Sequence, residues 1–364
     1  MERHMPAALC DIIVPIWNQP ELTRRCLMSV IQSTREPIRF ILIDNGSDTP
    51  TRDYLDQVKA GGQASVHLIR NKENLGFIKA INQGISASQA PWICLLNNDT
   101  VVTPGWLTEM LLVAQAGEAI GLVNPTSNSL GFHPGDIPLE KYAATLAAES
   151  GKWAQLSTAL GFCLLARKSI FEKIGGLDES FGMGYFEDDD LSKRVKQAGL
   201  RCVRACASYV YHQERGSFRH LPQTKESFQK NRQLFESRWG GRLRILWGVS
   251  TDQPGLETVP LQPALEVLGK GHWISFCGPE RAVPQEVLAH AQAGQLKAGS
   301  SHWRLNALAR LVIRRRKPYQ LVISFDDAWS AWIQRFSWFH QAQLLHKPTP
   351  EQILLQCENL SSSR

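Results

Sequence analysis

Residues 39–48 read RFILIDNGSD. The apolar run over residues 40–43 enters Asp44-Asn45-Gly46-Ser47, a composition that marks a turn. A strand half-exposed to water alternates apolar and polar residues, whereas an uninterrupted apolar run is the pattern of a strand covered on both faces. The same unit recurs on either side. DIIVPI (residues 11–16) breaks at WNQP (17–20) and is followed by an amphipathic segment over 21–32. Further on, 51–60 and 74–87 read as helices, and 65–70 and 92–97 as strands. This alternation predicts an α/β fold with right-handed crossovers, in which helices flank a mostly parallel, Rossmann-like mixed sheet.

Ligands of such sheets sit beyond the carboxyl ends of the strands, so the residues just past each strand are the ones to inspect. These are Trp17 and Asn18, Asp44 and Asn45, and Asn98 and Asp99, while Glu187-Asp188-Asp189-Asp190 opens a helix further on. Carboxylates gathered on one rim repel one another unless a cation lies between them. A hard divalent ion bridging substrate phosphates is the common solution. Each motif also has a plainer reading: the first is a turn, Asn97-Asn98-Asp99-Thr100 is a helix-entry loop before Pro104, and the acidic run suits a helix N-terminus.

The domain continues through a loop at 126–151, a strand at 160–167, a helix at 168–174 and a turn at Gly175-Gly176. A further helix over 191–198 stops at Gly199, a usual residue for a helix end. Near residue 245 a new apolar strand, 244–249, opens a second unit with further strands at 271–276 and 319–325. The expected organisation is therefore 1–245 followed by a smaller C-terminal α/β domain, 246–364.

At roughly 150 residues per domain, a chain of 364 residues suits about two domains. With 43% hydrophobic and 20% charged residues, a disordered or fibrous chain is excluded. No apolar stretch approaches the ~20 residues of a bilayer-spanning helix, and the first ten residues lack an apolar signal core, so a cytoplasmic location is expected. The net charge of +6 mildly favours anionic ligands or membrane surfaces. Its one dense cluster, Arg314-Arg315-Arg316-Lys317, reads as a solvated helix end or as a contact for anionic lipid or phosphate. The 8 cysteines lack CxxC spacing and read as buried reduced thiols; Cys202, Cys206 and His212 have no second ligand pair to complete a zinc site.

Seven segments occur in a telling order: VPIWNQ (14–19), LIDNGSD (42–48), NLGFIKAINQGI (74–85), LLNNDT (95–100), GFCLLARKSIFEKIGGLDESF (161–181), FEDDDLSKRVKQAG (186–199) and the late His212. In this order, over about residues 10–240, the chain resembles the inverting family 2 glycosyltransferases of the GT-A fold, especially their rhamnosyltransferase-like bacterial branch. The resemblance implies that Asp44 hydrogen-bonds a pyrimidine base while Pro15 and Asn18 line the nucleotide pocket. It makes Asn97-Asn98-Asp99 a DxD-like motif, in which Asn97 and Asn98 contact ribose or sugar and Asp99 reaches a divalent metal, Mn2+ or Mg2+. Two asparagines stand where the family pattern has acids, which shifts metal binding onto Asp99. His212 matches a late metal-ligating histidine, although a lone histidine also reads as a packing residue. The family pattern, ED then any residue then DL, registers Asp188 as the catalytic base. Asn74, Gly76 and Asn82 match the helix that approaches the nucleotide; Gly76 alone also fits a packing glycine. Gly161, Phe162 and residues 175–178 resemble the part that shapes the donor and acceptor pockets, with Asp178 near the acceptor.

The activity so implied is transfer of a sugar from a dTDP- or UDP-sugar donor to a glycan or lipid-linked acceptor in cell-surface polysaccharide synthesis. The implied partners include peripheral association with the inner face of a membrane and no nucleic acid. The alternative is a catalytically inactive carbohydrate-binding or scaffold protein. A nucleotidyltransferase would need a glycine-rich phosphate loop after the first strand, which Pro15-Ile16-Trp17-Asn18 does not provide. Residues 246–364 carry Trp247, Trp273, Trp303, Trp329, Trp332 and Trp338 but no catalytic constellation. They look like one incomplete Rossmann-type half of a GT-B glycosyltransferase, suited to docking a partner or positioning a long acceptor.

Overall fold

The computed structural model describes residues 8–62, 64–213, 224–249, 260–278, 283–288, 290, 292–296, 303–313 and 318–362. The basic run from Arg314 to Lys317 lies outside them. The chain forms two compact units that divide between Leu234 and Phe235.

The first unit opens with β1 (Cys10–Ile16), α1 (Pro20–Ser33), β2 (Ile38–Asn45), α2 (Thr49–Ala60), β3 (Ser65–Asn71), α3 (Phe77–Ala87) and β4 (Trp92–Leu96). β5 (Thr100–Val102), α4 (Trp106–Gln115), β6 (Ile120–Thr126), α5 (Leu139–Thr145), β7 (Trp153–Leu156) and β8 (Cys163–Arg167) follow. α6 (Lys168–Ile174), α7 (Glu187–Gln197), β9 (Arg201–His212) and α8 (Thr224–Trp239) complete the series, α8 running through the division between units. The nine-stranded sheet has the order β3-β2-β1-β4-β8-β6-β9-β5, with β7 beside β9. β1 pairs in parallel with β2 and β4, and β2 with β3. β8 inserts antiparallel between β4 and β6, so the sheet is mixed.

Alternation along the strands divides the core. Ile12, Val14, Ile16, Phe40 and Leu42 pack with Leu27 and Val30 of α1, Leu55 of α2 and Trp106 of α4. On the opposite face α3 lies so close to β1 that a Cβ on Gly84 would come within 2.3 Å of Ile13. At the amino ends of the strands, buried Asp11 holds the Arg39 guanidinium through both oxygens, at 2.8 and 2.7 Å, and accepts the backbone N–H groups of Gln89 and Ala90.

The region 126–151, expected to be a loop, is more ordered. It contains α5 and short 3-10 turns at Asn128–Leu130 and Ala147–Glu149. The acidic run belongs to α7 itself, which begins at Glu187 rather than at residue 191, because four acids at a helix N-terminus interact favourably with its dipole.

The second unit is a five-stranded, all-parallel sheet of order β12-β11-β10-β13-β14. Its strands are β10 (Arg244–Gly248), β11 (Trp273–Cys277), β12 (Ala293–Gln295), β13 (Leu321–Ser324) and β14 (Gln343–His346). Its helices are α9 (Leu261–Gly269), α10 (Gln285–Leu288), α11 (Trp303–Ile313), α12 (Asp327–Arg335) and α13 (Pro350–Ser362). The change of texture seen near residue 245 is the start of β10. Trp247 and Trp329 are fully buried in this unit's core, while Trp332 and Trp338 are exposed.

Candidate active site

The carboxyl ends of β1, β2 and β4 form one rim, as their parallel pairing requires. The register sets Ile16 beside Asp44 and Asp44 beside Arg70. Asp44 is 1% exposed; its Oδ1 accepts the Ser47 N–H at 3.0 Å, and its Oδ2 lies 3.9 Å from Arg52 Nε and 3.8 Å from Arg70 Nε. The turn reading and the ligand reading of Asp44 are therefore compatible: one oxygen closes the turn and the other faces two guanidinium groups. Asn18, in the left-handed region at φ 57°, donates its N–H to Ser47 Oγ at 3.0 Å and accepts the Asp48 N–H at 2.8 Å. Pro15 lies half-buried one residue before the end of β1, beside Ile43.

Two glycines are required here by close approach. Gly46 has φ +74°, and a Cβ there would lie 2.6 Å from the Glu73 backbone. Gly76 has φ +86°, with Met183 Sδ 2.9 Å from the position of a Cβ. Between them Asn45 Nδ2 donates to Asn74 Oδ1 at 2.9 Å and to the Gly76 carbonyl at 3.2 Å, tying the end of β2 to the start of α3. Asn82 lies further along α3. Its amide donates to Leu177 O and Glu179 Oε1 and accepts the Leu177 N–H, so its polar atoms are engaged in holding the 177–179 segment.

After β4, Asn97 donates its N–H to Phe162 O at 2.8 Å, and its side-chain Oδ1 is buried with no hydrogen-bond partner. Asn98 Nδ2 donates to Thr23 Oγ1 on α1 at 3.0 Å. Asp99 is 6% exposed, and its Oδ1 lies 3.1 Å from His212 Nε2. Antiparallel pairing of β5 with β9, which sets Thr100 beside His212, brings the two together. The other histidine nitrogen, Nδ1, is 3.0 Å from Ser129 Oγ, Asn128 brackets the His212 backbone through its amide, and the Phe162 ring stacks on the imidazole at 4.9 Å and 10°. None of Asn128, Ser129 or Phe162 was assigned to this histidine from the sequence. Their link to it arises from strand pairing, which local pattern does not reveal.

Asp188, at the second position of α7, accepts the Asp189 N–H at 2.8 Å and the Gly161 N–H at 3.4 Å. The residue after Gly161 is Phe162, so one short segment joins the carboxylate of Asp188 to the Asp99–His212 pair. Asp189 accepts from Thr158, and Asp190 binds Arg194, whose guanidinium caps the carbonyls of Ile174 and Gly176. Glu187 is buried, and its Oε2 has no partner. Burial, reinforced by the charges of Asp188 and then Asp189, pushes its carboxyl up to about 8. The loop before α7 runs through Tyr185 and Phe186, both at φ 73°, and Asn231 of α8 secures it by donating to the carbonyls of Phe181 and Gly184.

Among the described residues no cluster of three or more His, Cys, Asp or Glu forms a complete metal cage. Asp99 and His212 supply an oxygen and a nitrogen converging on one point, a donor set that suits a divalent ion completed by ligand oxygens and water. The contact of Nδ1 with Ser129 leaves Nε2 as the ring nitrogen turned toward that point.

The Glycosyl transferase family 2 model matches residues 11–175. The uncharacterized protein y4gI of Sinorhizobium fredii is 26% identical over 256 residues, 64% of this chain and 27% of that protein. The O-antigen biosynthesis protein RfbC of Myxococcus xanthus is 28% identical over 233 residues, 57% of this chain and 18% of that protein. The chain thus spans well under a third of the length of these two relatives. N-acetylglucosaminyl-diphospho-decaprenol L-rhamnosyltransferase of Mycobacterium tuberculosis is 28% identical over 221 residues, 52% of this chain and 70% of that enzyme. The crystal structure of GalNAc-T7 with UDP, GalNAc and Mn2+ superposes with a TM-score of 0.50 at 16% identity, over 64% of this chain and 50% of that one, a likeness of fold. By motif order, family model and fold, the first unit resembles the family 2 glycosyl transferases of the GT-A type.

Proposed function

We propose that the protein is an inverting, metal-dependent glycosyltransferase that moves a sugar from a dTDP- or UDP-sugar to a glycan or lipid-linked acceptor of cell-surface polysaccharide, working at the cytoplasmic face of a membrane. The observation that carries this reading is the joining of Asp188 to the Asp99–His212 pair through Gly161 and Phe162. Transfer with inversion needs a base on one side of the anomeric carbon and charge stabilisation on the other.

A sugar hydroxyl is a weak nucleophile, and Asp188 accepts its proton as the oxygen attacks. Such general-base assistance is worth about 10²–10⁴-fold. The N–H groups of Gly161 and Asp189 orient the carboxylate. Asp44 receives the base of the donor, Pro15 and Asn18 line its pocket, and Asn74 and Gly76 border it. The buried, unpaired Oδ1 of half-buried Asn97 accepts from a donor hydroxyl, and Asn98 lies beside it. Asp99 and His212 would hold a divalent ion, Mn2+ or Mg2+, which when bound would supply Lewis-acid stabilisation to the departing diphosphate. The relatives named for O-antigen biosynthesis and for rhamnosyl transfer support the choice of substrate class.

The test is release of nucleoside diphosphate from a panel of dTDP- and UDP-sugars in the presence of Mn2+ and membrane extract, comparing wild type with Asp188→Asn. The reading expects turnover that Asp188→Asn lowers by at least about 10²-fold while donor binding persists. Donor binding with no turnover in the wild type would favour the carbohydrate-binding or scaffold alternative.

A further inference from the structure

Besides Trp273 on β11, the second unit exposes several aromatic side chains around the end of α12. α12 ends at Arg335, and a 3-10 turn, Ser337–Phe339, follows it. Trp338 is 75% exposed and Phe339 46%, and their rings stack on each other at 3.5 Å and 29°. Phe339 also meets the Phe336 ring at 6.2 Å, and Trp332, 38% exposed, lies one helical turn before Phe336. The turn is held in shape: Phe339 N–H donates to Phe336 O at 3.0 Å, and the His340 ring lies 3.2 Å from Ile333 O. A soluble surface rarely displays several large aromatic rings together without an occupant.

Charge identifies the occupant. Residues 235–364 carry 15 Lys and Arg against 10 Asp and Glu, which is +5 of the chain's +6. From residue 287 to residue 347 there are nine Lys and Arg and only two acids, Asp326 and Asp327. Both acids are already matched, Asp326 by Arg304 and Asp327 by Lys347 and His346. Arg335, exposed and between Trp332 and Phe336 in the chain, has no ion pair among the described residues. A nucleic-acid base or a sugar needs a free ring face on which to stack. Here Trp338 and Phe339 each keep one face free, the other being covered by their mutual stacking. Amphipathic aromatics beside an unpaired cation, in a unit of net positive charge, are the composition of a surface that enters the headgroup boundary of an anionic bilayer.

We propose that Trp338 and Phe339, with Trp332 and Arg335, form a docking surface for anionic phospholipid membranes. This deepens the reading above by giving the membrane a place to bind, and it is tested without any transfer reaction.

The full chain is floated with vesicles of phosphatidylcholine containing one quarter phosphatidylglycerol, in the absence of nucleotide and metal. Capture by these vesicles is expected, with a drop of about tenfold in the variant carrying Trp338→Ser and Phe339→Ser. Arg335→Glu should also weaken capture, whereas Trp338→Phe alone should retain it, which separates aromatic insertion from loss of fold. No capture of the wild type, or equal capture of wild type and double variant, would overturn the proposal. Binding of a soluble RNA or glycan through the same residues, with vesicles ignored, would overturn it as well. None of these outcomes bears on Asp188, so the surface and the transferase reading fail separately.

Discussion

Asp99 Oδ1 lies 3.1 Å from His212 Nε2 although the two residues are far apart in the chain, because β5 and β9 pair with Thr100 beside His212. The histidine is fixed from three directions: Ser129 on its second nitrogen, Asn128 on its backbone and Phe162 on its ring face. A histidine serving only as core packing needs no carboxylate at its free nitrogen. Under the function proposed above, this pair would hold the divalent ion.

Ser129 is therefore expected to matter without touching the ion. Ser129→Ala should lower Mn2+ affinity by about 10–100-fold, and Asp99→Ala should abolish it. Calorimetric titration with Mn2+ in the presence of the nucleoside diphosphate measures both.

Asp188→Asn preserves shape and hydrogen-bond acceptance at one atom but removes basicity. It should reduce kcat by about 10²–10⁴-fold with little change in donor affinity. A comparable loss of donor affinity would place Asp188 in binding rather than in proton transfer.

Glu187 makes stability depend on pH in a specific direction. Its carboxyl ionises near the usual 4.5 when unfolded but at about 8 when folded, so the folded state binds the extra proton between those values. Stability from this group is complete below about 4.5 and is lost as pH rises to about 8. Glu187→Gln should flatten that dependence, with a melting temperature near wild type in mild acid and above it at alkaline pH. Parallel melting curves for the two proteins across this range would contradict the assignment.

Asp11 stabilises the far end of the sheet. Burial raises its carboxyl, but the Arg39 guanidinium and the N–H groups of Ala90 and Gln89 outweigh this and hold it below the ordinary carboxylate range. Asp11→Ala would leave Arg39 uncompensated and should cost about 3–5 kcal/mol in urea unfolding, with donor binding intact at low denaturant.

The strands of the first half are legible because each parallel strand, buried on both faces, is written as an unbroken apolar run such as residues 40–43. The second half is harder to read. β6 contains Asn124 and Pro125, and β9 carries Arg201 and Arg204, so neither shows the unbroken apolar run. α5 is only seven residues long, too short for helical periodicity to register, and the stretch around it read as loop. In the second unit, β12 is Ala-Gly-Gln and β14 carries a polar residue at each end, so neither shows a continuous apolar run. The same limit applies to the site. Asp44, Asp99 and Asp188 stand out because each follows a strand or opens a helix. Ser129, Phe162 and Asn231 reach their partners through long-range pairing, and the raised carboxyl of Glu187 depends on burial that its position in an acidic run conceals.

Under the proposed function, Asp99 and His212 complete a nucleotide–metal site on the rim of the sheet. Thermal unfolding with UDP, dTDP, GDP or CDP, each with and without Mn2+, tests it directly, since a ligand at 100 times its Kd adds about 2.7 kcal/mol of stability. The melting temperature is expected to rise with UDP or dTDP only when Mn2+ is present, and not to rise in Asp99→Ala. A melting temperature unmoved by every nucleotide, or raised equally in Asp99→Ala, would contradict it.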